Sequence, residues 1–209
     1  GSIIEESLLN AGFVKAESID EADYFILNSC TVTHKADNET FYILRNAKHL
    51  NNNIKTVLTG CVAQVEKEEL LEKDYIDFVI GNDEKLKLAD YLLSDTKFAV
   101  QNIMEQSKFN DTLLLDTTKT RACVKIQDGC DNRCSYCIIP FARGKSRSAS
   151  EDFILKQIDT LAEHDFKEII LTGIHIGQWG KDIGKTFLDL LVLLEEKSPI
   201  NRIRMGSLN

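Results

Sequence analysis

In the first half of the chain, short apolar runs of strand length alternate with amphipathic stretches of helix length. The apolar runs predict strands over Tyr24–Cys30, Lys55–Cys61 and Phe78–Gly81. Apolar positions at helical spacing predict helices over Ser2–Gly12, Lys35–His49, Val65–Leu71 and Asp83–Leu93. Alternating strands and helices indicate βαβ units, so we expect an N-terminal α/β domain with a doubly wound parallel sheet.

From Arg121 onward the alternation of strands and helices restarts. The pattern predicts strands over Ala122–Gln127, Glu168–Thr172 and Arg202–Met205, and helices over Glu151–Glu163 and Thr186–Glu195. These elements are too few to close an eight-stranded barrel, which takes about 250 residues. We therefore expect the first part of a larger (β/α) barrel that is cut at Asn209.

The connector between the two halves covers residues 94–120 and shows no clear period apart from a short predicted strand at Leu113–Leu115. We place the domain boundary in this connector, with one domain over residues 1–118 and the partial barrel domain over residues 119–209.

Several residues at the predicted helix ends have the chemistry of helix caps. Ser2 with Glu5 predicts a capping box, and Gly12 suits the end of the first helix. Asp83 and Ser150 are predicted N-caps, because their side-chain oxygens can accept from the free backbone N–H groups of a first turn.

The composition is that of an ordinary globular protein and excludes collagen-like and disordered chains. Of 209 residues, 43% are hydrophobic and 28% are charged, with 11 Gly and 2 Pro. The longest unbroken apolar run, Leu190–Leu194, is far shorter than the roughly 20 residues that cross a membrane. No basic and apolar leader opens the chain, so we expect a soluble cytoplasmic protein with no membrane partner.

The net charge of −8 is unevenly distributed. Residues 1–120 hold 12 Lys and Arg against 21 Asp and Glu, whereas residues 121–150 hold 6 against 2. An acidic N-terminal half argues against a broad nucleic-acid-binding face, which needs clustered Lys and Arg. The short basic segment remains a candidate for contact with an anion.

Three of the six cysteines lie within eight residues, as Cys130, Cys134 and Cys137. They directly follow a predicted strand, and in a parallel barrel the carboxyl ends of the strands carry the chemistry. Thiolates in this spacing are typical ligands of zinc or iron–sulfur clusters. A zinc site would need a fourth ligand such as His164 or His175. A [4Fe–4S] cluster on three cysteines leaves one iron open to a small molecule, which indicates catalysis.

Two further cysteines, Cys30 and Cys61, each stand at the carboxyl end of a predicted N-terminal strand. Ligands of open α/β sheets bind at that edge, so the two thiols are expected to converge on one crevice. The alternative is that each is an ordinary buried small side chain. Cys123 lies within a predicted strand and is interpreted as a packed strand residue.

Three segments carry a resemblance to a known family. Val124–Ser148 is similar to the signature of the radical S-adenosylmethionine (radical SAM) methylthiotransferases, and Asn28–Thr33 and Thr59–Gln64 resemble the N-terminal domain of that family. Short segments at Cys30–Thr33, Lys125–Gly129 and Leu171–His175 are most similar to the branch that modifies N6-threonylcarbamoyladenosine beside the anticodon of tRNA. Sister branches act on isopentenyl-adenosine in tRNA or on an aspartate of a ribosomal protein.

The resemblance implies an enzyme with two [4Fe–4S] clusters. The first, on Cys130, Cys134 and Cys137, would bind S-adenosylmethionine and generate a 5′-deoxyadenosyl radical. The auxiliary cluster, on Cys30, Cys61 and a third cysteine, would carry the sulfur, which a second S-adenosylmethionine methylates. The resemblance also implies a tRNA substrate and a reductant such as flavodoxin or ferredoxin, and we expect a monomer.

Further residues are assigned by the same resemblance or by charge. Tyr136, Thr172 and Gly173 are the candidates for contact with S-adenosylmethionine. Three basic residues after the cysteine motif are the candidates for contact with tRNA phosphate: Arg143, Lys145 and Arg147.

The chain departs from the family pattern at both ends. The third auxiliary cysteine of the family precedes the helix in which this chain starts, and the rest of the barrel and a small RNA-binding domain are also absent. We therefore expect a fragment of a longer protein. Two other hypotheses stay open at this point: a non-catalytic iron–sulfur electron carrier, and an α/β chain whose thiols bind nothing.

Overall fold

The computed structural model describes residues 2–31, 34–112, 121–206 and 208. The chain divides into two compact units. Unit 1 comprises residues 1–103 and 134–143, and unit 2 comprises residues 104–133 and 144–209. The predicted strand at Leu113–Leu115 lies outside the described residues, and the boundary at residue 118 stays a prediction.

Unit 1 is built on a parallel sheet of four strands. The strands are β1 (Tyr24–Ser29), β2 (Lys55–Gly60), β3 (Phe78–Ile80) and β4 (Phe98–Ala99), and they lie in chain order. This confirms the parallel sheet that the apolar runs predict. In the pairing of β1 with β2, Ser29 lies opposite Gly60, so both strands end at the same edge.

Helices cover both faces of this sheet, as a doubly wound arrangement requires. They are α1 (Ser2–Asn10), α2 (His34–Leu50), α3 (Cys61–Glu66) and α4 (Leu88–Leu93). Adjacent strand residues point to opposite faces. Leu58 therefore packs with Leu44 of α2 and Val62 of α3, whereas Val57 packs with Ile4 of α1 and Leu88 of α4.

The end of α1 confirms the predicted stop at Gly12. Gly12 has φ +91°. Its N–H donates to the Leu9 carbonyl at 3.0 Å, and the Phe13 N–H donates to the Leu8 carbonyl at 3.0 Å. These two bonds form a Schellman motif, which satisfies carbonyl groups that the helix leaves free. The Ser2 side chain of the predicted capping box lies outside the described residues.

Two helix predictions in unit 1 are wrong in their bounds. The helix expected over Val65–Leu71 begins at Cys61 and gives way to a 3-10 helix over Lys67–Glu72, where Lys67 has φ +57°. Asp83 has helical dihedral angles and makes no capping hydrogen bond. A 3-10 helix over Glu84–Lys87 follows it and leads into α4.

Unit 2 contains a parallel three-stranded sheet and a short antiparallel ribbon. The strand predicted over Ala122–Gln127 divides into β5 (Ala122–Lys125) and β6 (Gln127–Asp128). After α5 (Ile139–Arg143), whose residues belong to unit 1, β7 (Arg147–Ser148) pairs antiparallel with β6. Two-residue strands have too short a pattern to be predicted by periodicity.

The remaining elements of unit 2 agree with the predicted ones. They are α6 (Glu151–Glu163), β8 (Glu168–Thr172), α7 (Phe187–Lys197) and β9 (Arg202–Met205), and the sheet order is β5-β8-β9. Ser150 caps α6, since its side chain accepts from the Phe153 N–H. Thr186 and Asp189 form a capping box at the start of α7.

The core of unit 2 lies between its parallel sheet and its helices. Val124, Ile154 and Leu171 are fully buried in it. Trp179 is also fully buried, and its indole N–H donates to the Ala149 carbonyl at 3.0 Å. Across the described residues, no helix is long and apolar enough to cross a membrane.

Candidate functional site

Cys130 follows β6 on a tight loop whose backbone lies close to that of residues 144 and 145. Gly129 has φ +73°, and a Cβ atom there would overlap the Lys145 carbonyl oxygen. The Cys130 N–H donates to the Gly144 carbonyl at 3.1 Å. The half-buried Cys130 thiol thus follows a backbone that only glycine permits.

The other two cysteines of the motif lie on the segment 134–143, which belongs to unit 1. The Cys137 N–H donates to the Cys134 carbonyl at 3.0 Å, and α5 begins two residues later. Cys134 is exposed, Cys137 is half-buried, and both thiols are free. Both residues therefore keep at least part of their surface accessible to a ligand.

The chemistry of these three free thiols fits an iron–sulfur cluster, because thiolates are the protein ligands of such clusters. In the described part of the chain, no three His, Cys, Asp or Glu side chains are grouped closely enough to hold a metal ion. This absence covers the three cysteines of the motif as well as a zinc site completed by His164 or His175. The exposed His164 ring instead contacts the Thr160 carbonyl at 2.8 Å through Nδ1.

Polar side chains that the sequence patterns did not reveal hold the loop around Cys130. The Asp131 carboxylate accepts from the Ser146 N–H at 3.0 Å. The Gln178 amide donates to Asn132 Oδ1 at 3.2 Å and accepts from the Asp131 N–H at 3.5 Å. Gln127, which is fully buried, bonds to the backbone just before Cys130. The sequence does not identify such isolated polar residues as supports of the loop, because their hydrogen-bond partners are known only from the structure.

Thr172 and Gly173 lie at the carboxyl end of β8, where the sequence placed them. The Thr172 hydroxyl donates to the Val124 carbonyl of β5 at 3.4 Å. Gly173 is exposed, and a Cβ atom there would lie 2.9 Å from the Gln127 carbonyl oxygen. Because Gly173 has no side chain, the loop after β8 can lie close to the backbone of Gln127.

The remaining candidates for ligand contact differ in accessibility. Tyr136 is 90% exposed, Lys145 is exposed and Arg143 is half-buried. Arg147 is only 3% exposed and lies 3.9 Å from the Asp128 carboxylate. Because a buried, paired arginine is not available to phosphate, the structure favours a structural role for Arg147 over the predicted contact with RNA.

In unit 1 the structure brings the chain segments of Cys30 and Cys61 to the same sheet edge. Cys30 follows Ser29 and Cys61 follows Gly60, the paired last residues of β1 and β2. The Ser29 hydroxyl donates to the Thr59 carbonyl at 2.6 Å and accepts from the Val62 N–H at 3.2 Å. Cys30 is exposed, whereas Cys61 is 4% exposed.

A buried polar cluster surrounds Cys61. The Asn82 amide lies 3.8 Å from Cys61 Sγ as a donor, and it also donates to the Ala142 carbonyl at 2.7 Å. The Asn82 N–H donates to Gln64 Oε1 at 2.9 Å. Glu84 is buried nearby in the chain, and burial raises the pKa of its carboxyl.

Cys123 does not have the packed environment that the sequence predicted. It is exposed, whereas its neighbours Ala122 and Val124 are buried in the core beneath α6. Alternation along β5 therefore directs Cys123 to the opposite side of the sheet. Its thiol is free.

Two known families match separate parts of the chain. Residues 1–81 match "Uncharacterized protein family UPF0004". Residues 124–204 match "Radical SAM superfamily". Their order agrees with the resemblance that the cysteine segments carry, and so confirms it.

The names of two curated relatives agree with these family matches. Threonylcarbamoyladenosine tRNA methylthiotransferase MtaB of Bacillus subtilis is 34% identical over 209 residues, with 95% of this chain and 46% of that protein covered. The tRNA-2-methylthio-N(6)-dimethylallyladenosine synthase of Thermodesulfovibrio yellowstonii is 36% identical over 205 residues, with 92% and 46% covered. The chain spans about half the length of the curated relatives it matches.

A solved structure shares the fold at low sequence identity. The radical S-adenosylmethionine methyltransferase TsrM from Kitasatospora setae, with cobalamin and a [4Fe–4S] cluster bound, matches with a TM-score of 0.60 at 14% identity. The match covers 97% of this chain and 51% of that one. It supports the α/β fold class.

Proposed function

We propose that the protein is a radical SAM methylthiotransferase acting on tRNA. Residues 1–81 match the family UPF0004, and residues 124–204 match the radical SAM superfamily. The observation that carries the proposal is the Cys130, Cys134 and Cys137 motif, which directly follows the first strands of unit 2. All three thiols are free and at least partly exposed.

In this proposal the three cysteines of the motif are the ligands of a [4Fe–4S] cluster with one open iron. When the cluster and S-adenosylmethionine are bound, they supply the one-electron chemistry that activates an unreactive carbon–hydrogen bond. The chain's own part is to orient the ligands and to bind the methionine end of the cofactor near Thr172 and Gly173. The exposed Tyr136 ring is available for stacking on the adenine.

The auxiliary site of the proposal uses Cys30 and Cys61. Its support is that the two residues follow paired strand ends, so the parallel sheet itself brings their backbones together. The amide of Asn82 adds a donor 3.8 Å from Cys61 Sγ. Hydrogen bonds to sulfur are among the features by which proteins adjust iron–sulfur clusters.

For the substrate, we propose N6-threonylcarbamoyladenosine in tRNA, which would become its 2-methylthio derivative. Support comes from the Cys30–Thr33, Lys125–Gly129 and Leu171–His175 segments, and from relatives of that printed name. Dimethylallyladenosine in tRNA is the second candidate, because relatives named for that product match at similar identity. Lys145 and Arg143 remain the candidates for phosphate contact.

Iron loading and the response to S-adenosylmethionine test the proposed cofactor site. The chain is purified without oxygen and reconstituted with iron and sulfide. Iron is then counted, and electron paramagnetic resonance spectra are recorded with and without S-adenosylmethionine. We expect at least one cluster, about four irons per chain, with a spectrum that changes when S-adenosylmethionine is added.

Two cysteine variants make this test specific. Cys130→Ala should abolish the response to S-adenosylmethionine, whereas Cys123→Ala should retain it, because Cys123 is a free exposed thiol outside the motif. Less than one iron per wild-type chain would contradict the proposal. An equal loss of the response to S-adenosylmethionine in the two variants would also contradict it.

The substrate is tested with synthetic anticodon stem-loops. The reconstituted protein is supplied with S-adenosylmethionine, a reductant and RNA that bears either modified adenosine, and the nucleosides are then analysed by mass spectrometry. A methylthio group gained only on N6-threonylcarbamoyladenosine supports the proposal. Gain only on dimethylallyladenosine would favour the second candidate.

A further inference from the structure

Gln127 lies at the junction between the loop of Cys130 and the loop after β8. It is the first residue of β6 and its side chain is fully buried. Both loops belong to unit 2. A buried amide must satisfy its donors and its acceptor within the protein, so its partners show what it holds together.

The nitrogen end of the Gln127 side chain bonds to the cysteine loop. Nε2 donates to the Gly129 carbonyl at 2.7 Å and to the Asp128 carbonyl at 3.0 Å. It also lies 2.9 Å from the hydroxyl of Ser146. The Gly129 carbonyl belongs to the peptide unit that joins Gly129 to Cys130, so this bond fixes the backbone at the cysteine.

The oxygen end of the same side chain bonds to the loop after β8. Oε1 accepts from the His175 N–H at 2.8 Å. Gly173 allows this approach, since a Cβ atom there would lie 2.9 Å from the Gln127 carbonyl oxygen and 3.0 Å from Oε1. One amide group therefore spans two loops that are 46 residues apart in sequence, from Gly129 to His175.

Few side chains can replace glutamine here. The site needs a donor at one end and an acceptor at the other, with no net charge in a fully buried position. Glutamate has the same length but places carboxylate oxygens against the Gly129 and Asp128 carbonyls. Methionine has a similar shape but no strong donor or acceptor.

We propose that Gln127 is a positioning residue that sets the spacing between the Cys130 loop and the loop of Thr172, Gly173 and His175. This inference rests on the proposed function, in which the first loop carries a cluster ligand and the second binds S-adenosylmethionine. Gln127 touches neither ligand directly and acts through backbone carbonyl and N–H groups. Outer residues that orient metal ligands typically change affinity or activity by about 10- to 100-fold.

The first test needs no cofactor. Amide hydrogen exchange is measured on the cofactor-free chain for wild type, Gln127→Met and Gln127→Glu. We expect faster exchange in both variants over residues 127–131 and 173–178, because methionine removes both ends of the bridge and glutamate removes the donor that reaches the Gly129 and Asp128 carbonyls. Ser150→Ala is the matched control, since it removes the N-cap of α6 in the same unit and touches neither loop.

The second test measures affinity for S-adenosylmethionine in the reconstituted protein by titration of the paramagnetic resonance signal. Gln127→Met is expected to hold as much iron as wild type and to bind S-adenosylmethionine roughly 10- to 100-fold more weakly. If Gln127→Met does not fold, Gln127→Glu replaces it in this titration, because it removes the donor that reaches the Gly129 and Asp128 carbonyls.

The outcomes distinguish this inference from the proposed function. Normal exchange in both loops of Gln127→Met, or wild-type affinity at equal iron content, overturns the role of Gln127. Loss of most of the iron in Gln127→Met also overturns it, since the residue would then act on cluster retention. If wild type itself ignores S-adenosylmethionine, the proposed function fails and the exchange data alone decide whether Gln127 couples the loops.

Discussion

Glu84 is a buried carboxyl group that makes the stability of unit 1 depend on pH. It is 6% exposed, and Oε2 has no hydrogen-bond partner among the described residues. Burial raises the pKa of Glu84, although backbone hydrogen bonds such as that from the Gln101 N–H partly oppose the shift. The unfolded chain therefore ionises this group more easily than the folded chain does, and stability falls as pH rises above about 4.5.

Glu84→Gln tests this linkage by removing the ionisation. The variant should lose less stability than wild type between pH 4.5 and pH 7, as measured by urea unfolding at both pH values. Glu68→Gln serves as a control, because Glu68 is exposed. Equal pH dependence in wild type and Glu84→Gln would show that burial of this carboxyl does not affect folding.

Gly60 is a residue where backbone conformation and close packing act together. It has φ +94°, and a Cβ atom there would overlap the Ser29 carbonyl oxygen and lie 2.7 Å from Asn28 Oδ1. Gly12 has nearly the same φ, +91°, with no atom within 4 Å of its Cβ position. Alanine at either position carries the cost of a positive φ, about 1–3 kcal/mol.

Gly60→Ala should therefore destabilise unit 1 more than Gly12→Ala does. Overpacking adds roughly 1–3 kcal/mol to the backbone cost. The comparison is made by urea unfolding of both variants at neutral pH. Similar losses of stability in the two variants would show that β1 shifts to accommodate the added methyl group with no cost in the free energy of unfolding.

At the scale of an element, α7 depends on its first turn. The Thr186 side chain accepts from the Asp189 N–H, and the Asp189 carboxylate accepts from the Thr186 N–H and hydroxyl. Hydrogen bonds from the Thr186 side chain, and then from its backbone, lower the pKa of Asp189. The stabilisation is thus present above the ordinary pKa of an aspartate and is lost as pH falls through the lower folded value.

Two cap variants separate the carboxylate from the hydroxyl. Ser150→Ala removes a cap that consists of a hydroxyl and the Phe153 N–H, and should cost about 1 kcal/mol at any pH between 3 and 7. Thr186→Ala should cost a comparable amount at pH 7 and less near pH 3. Thermal unfolding at both pH values provides the measurement, and a pH-independent cost for Thr186→Ala would contradict the role of Asp189.

For the molecule as a whole, the main finding that the linear pattern did not predict is that the chain leaves unit 2, enters unit 1 and then returns to unit 2. The segment 134–143 lies between two parts of unit 2 in sequence but packs in unit 1. Asn82 contributes to this packing, because its amide donates to the Ala142 carbonyl at 2.7 Å. Lys85 in turn donates to Asn82 Oδ1 at 2.9 Å.

Asn82→Leu should release this segment. A buried carbonyl that loses its donor costs about 1–3 kcal/mol, so amide exchange over residues 134–143 should become faster. Asn52→Ala, at an exposed turn of the same unit, should leave that exchange unchanged. Unchanged exchange in Asn82→Leu would show that other contacts of α5 hold the segment.

The sequence pattern predicts long elements more accurately than short ones. The 17-residue α2 and the 13-residue α6 repeat their apolar spacing several times and were predicted to within about one residue at each end. The short β6 and β7 have two residues each and were missed. The bend after Glu66 was missed because the positive φ of Lys67 depends on its surroundings.

Local patterns along the chain are enough to predict the α/β class and the strand ends that carry Cys30, Cys61 and Cys130, because periodicity and ligand spacing are local properties. The folded chain is needed to show that Arg147 is buried, that Cys123 is exposed, and that one Gln127 amide joins two distant loops. These features depend on which segments pack together. A buried hydrogen bond is defined by partners far apart in the chain, and no local pattern encodes them.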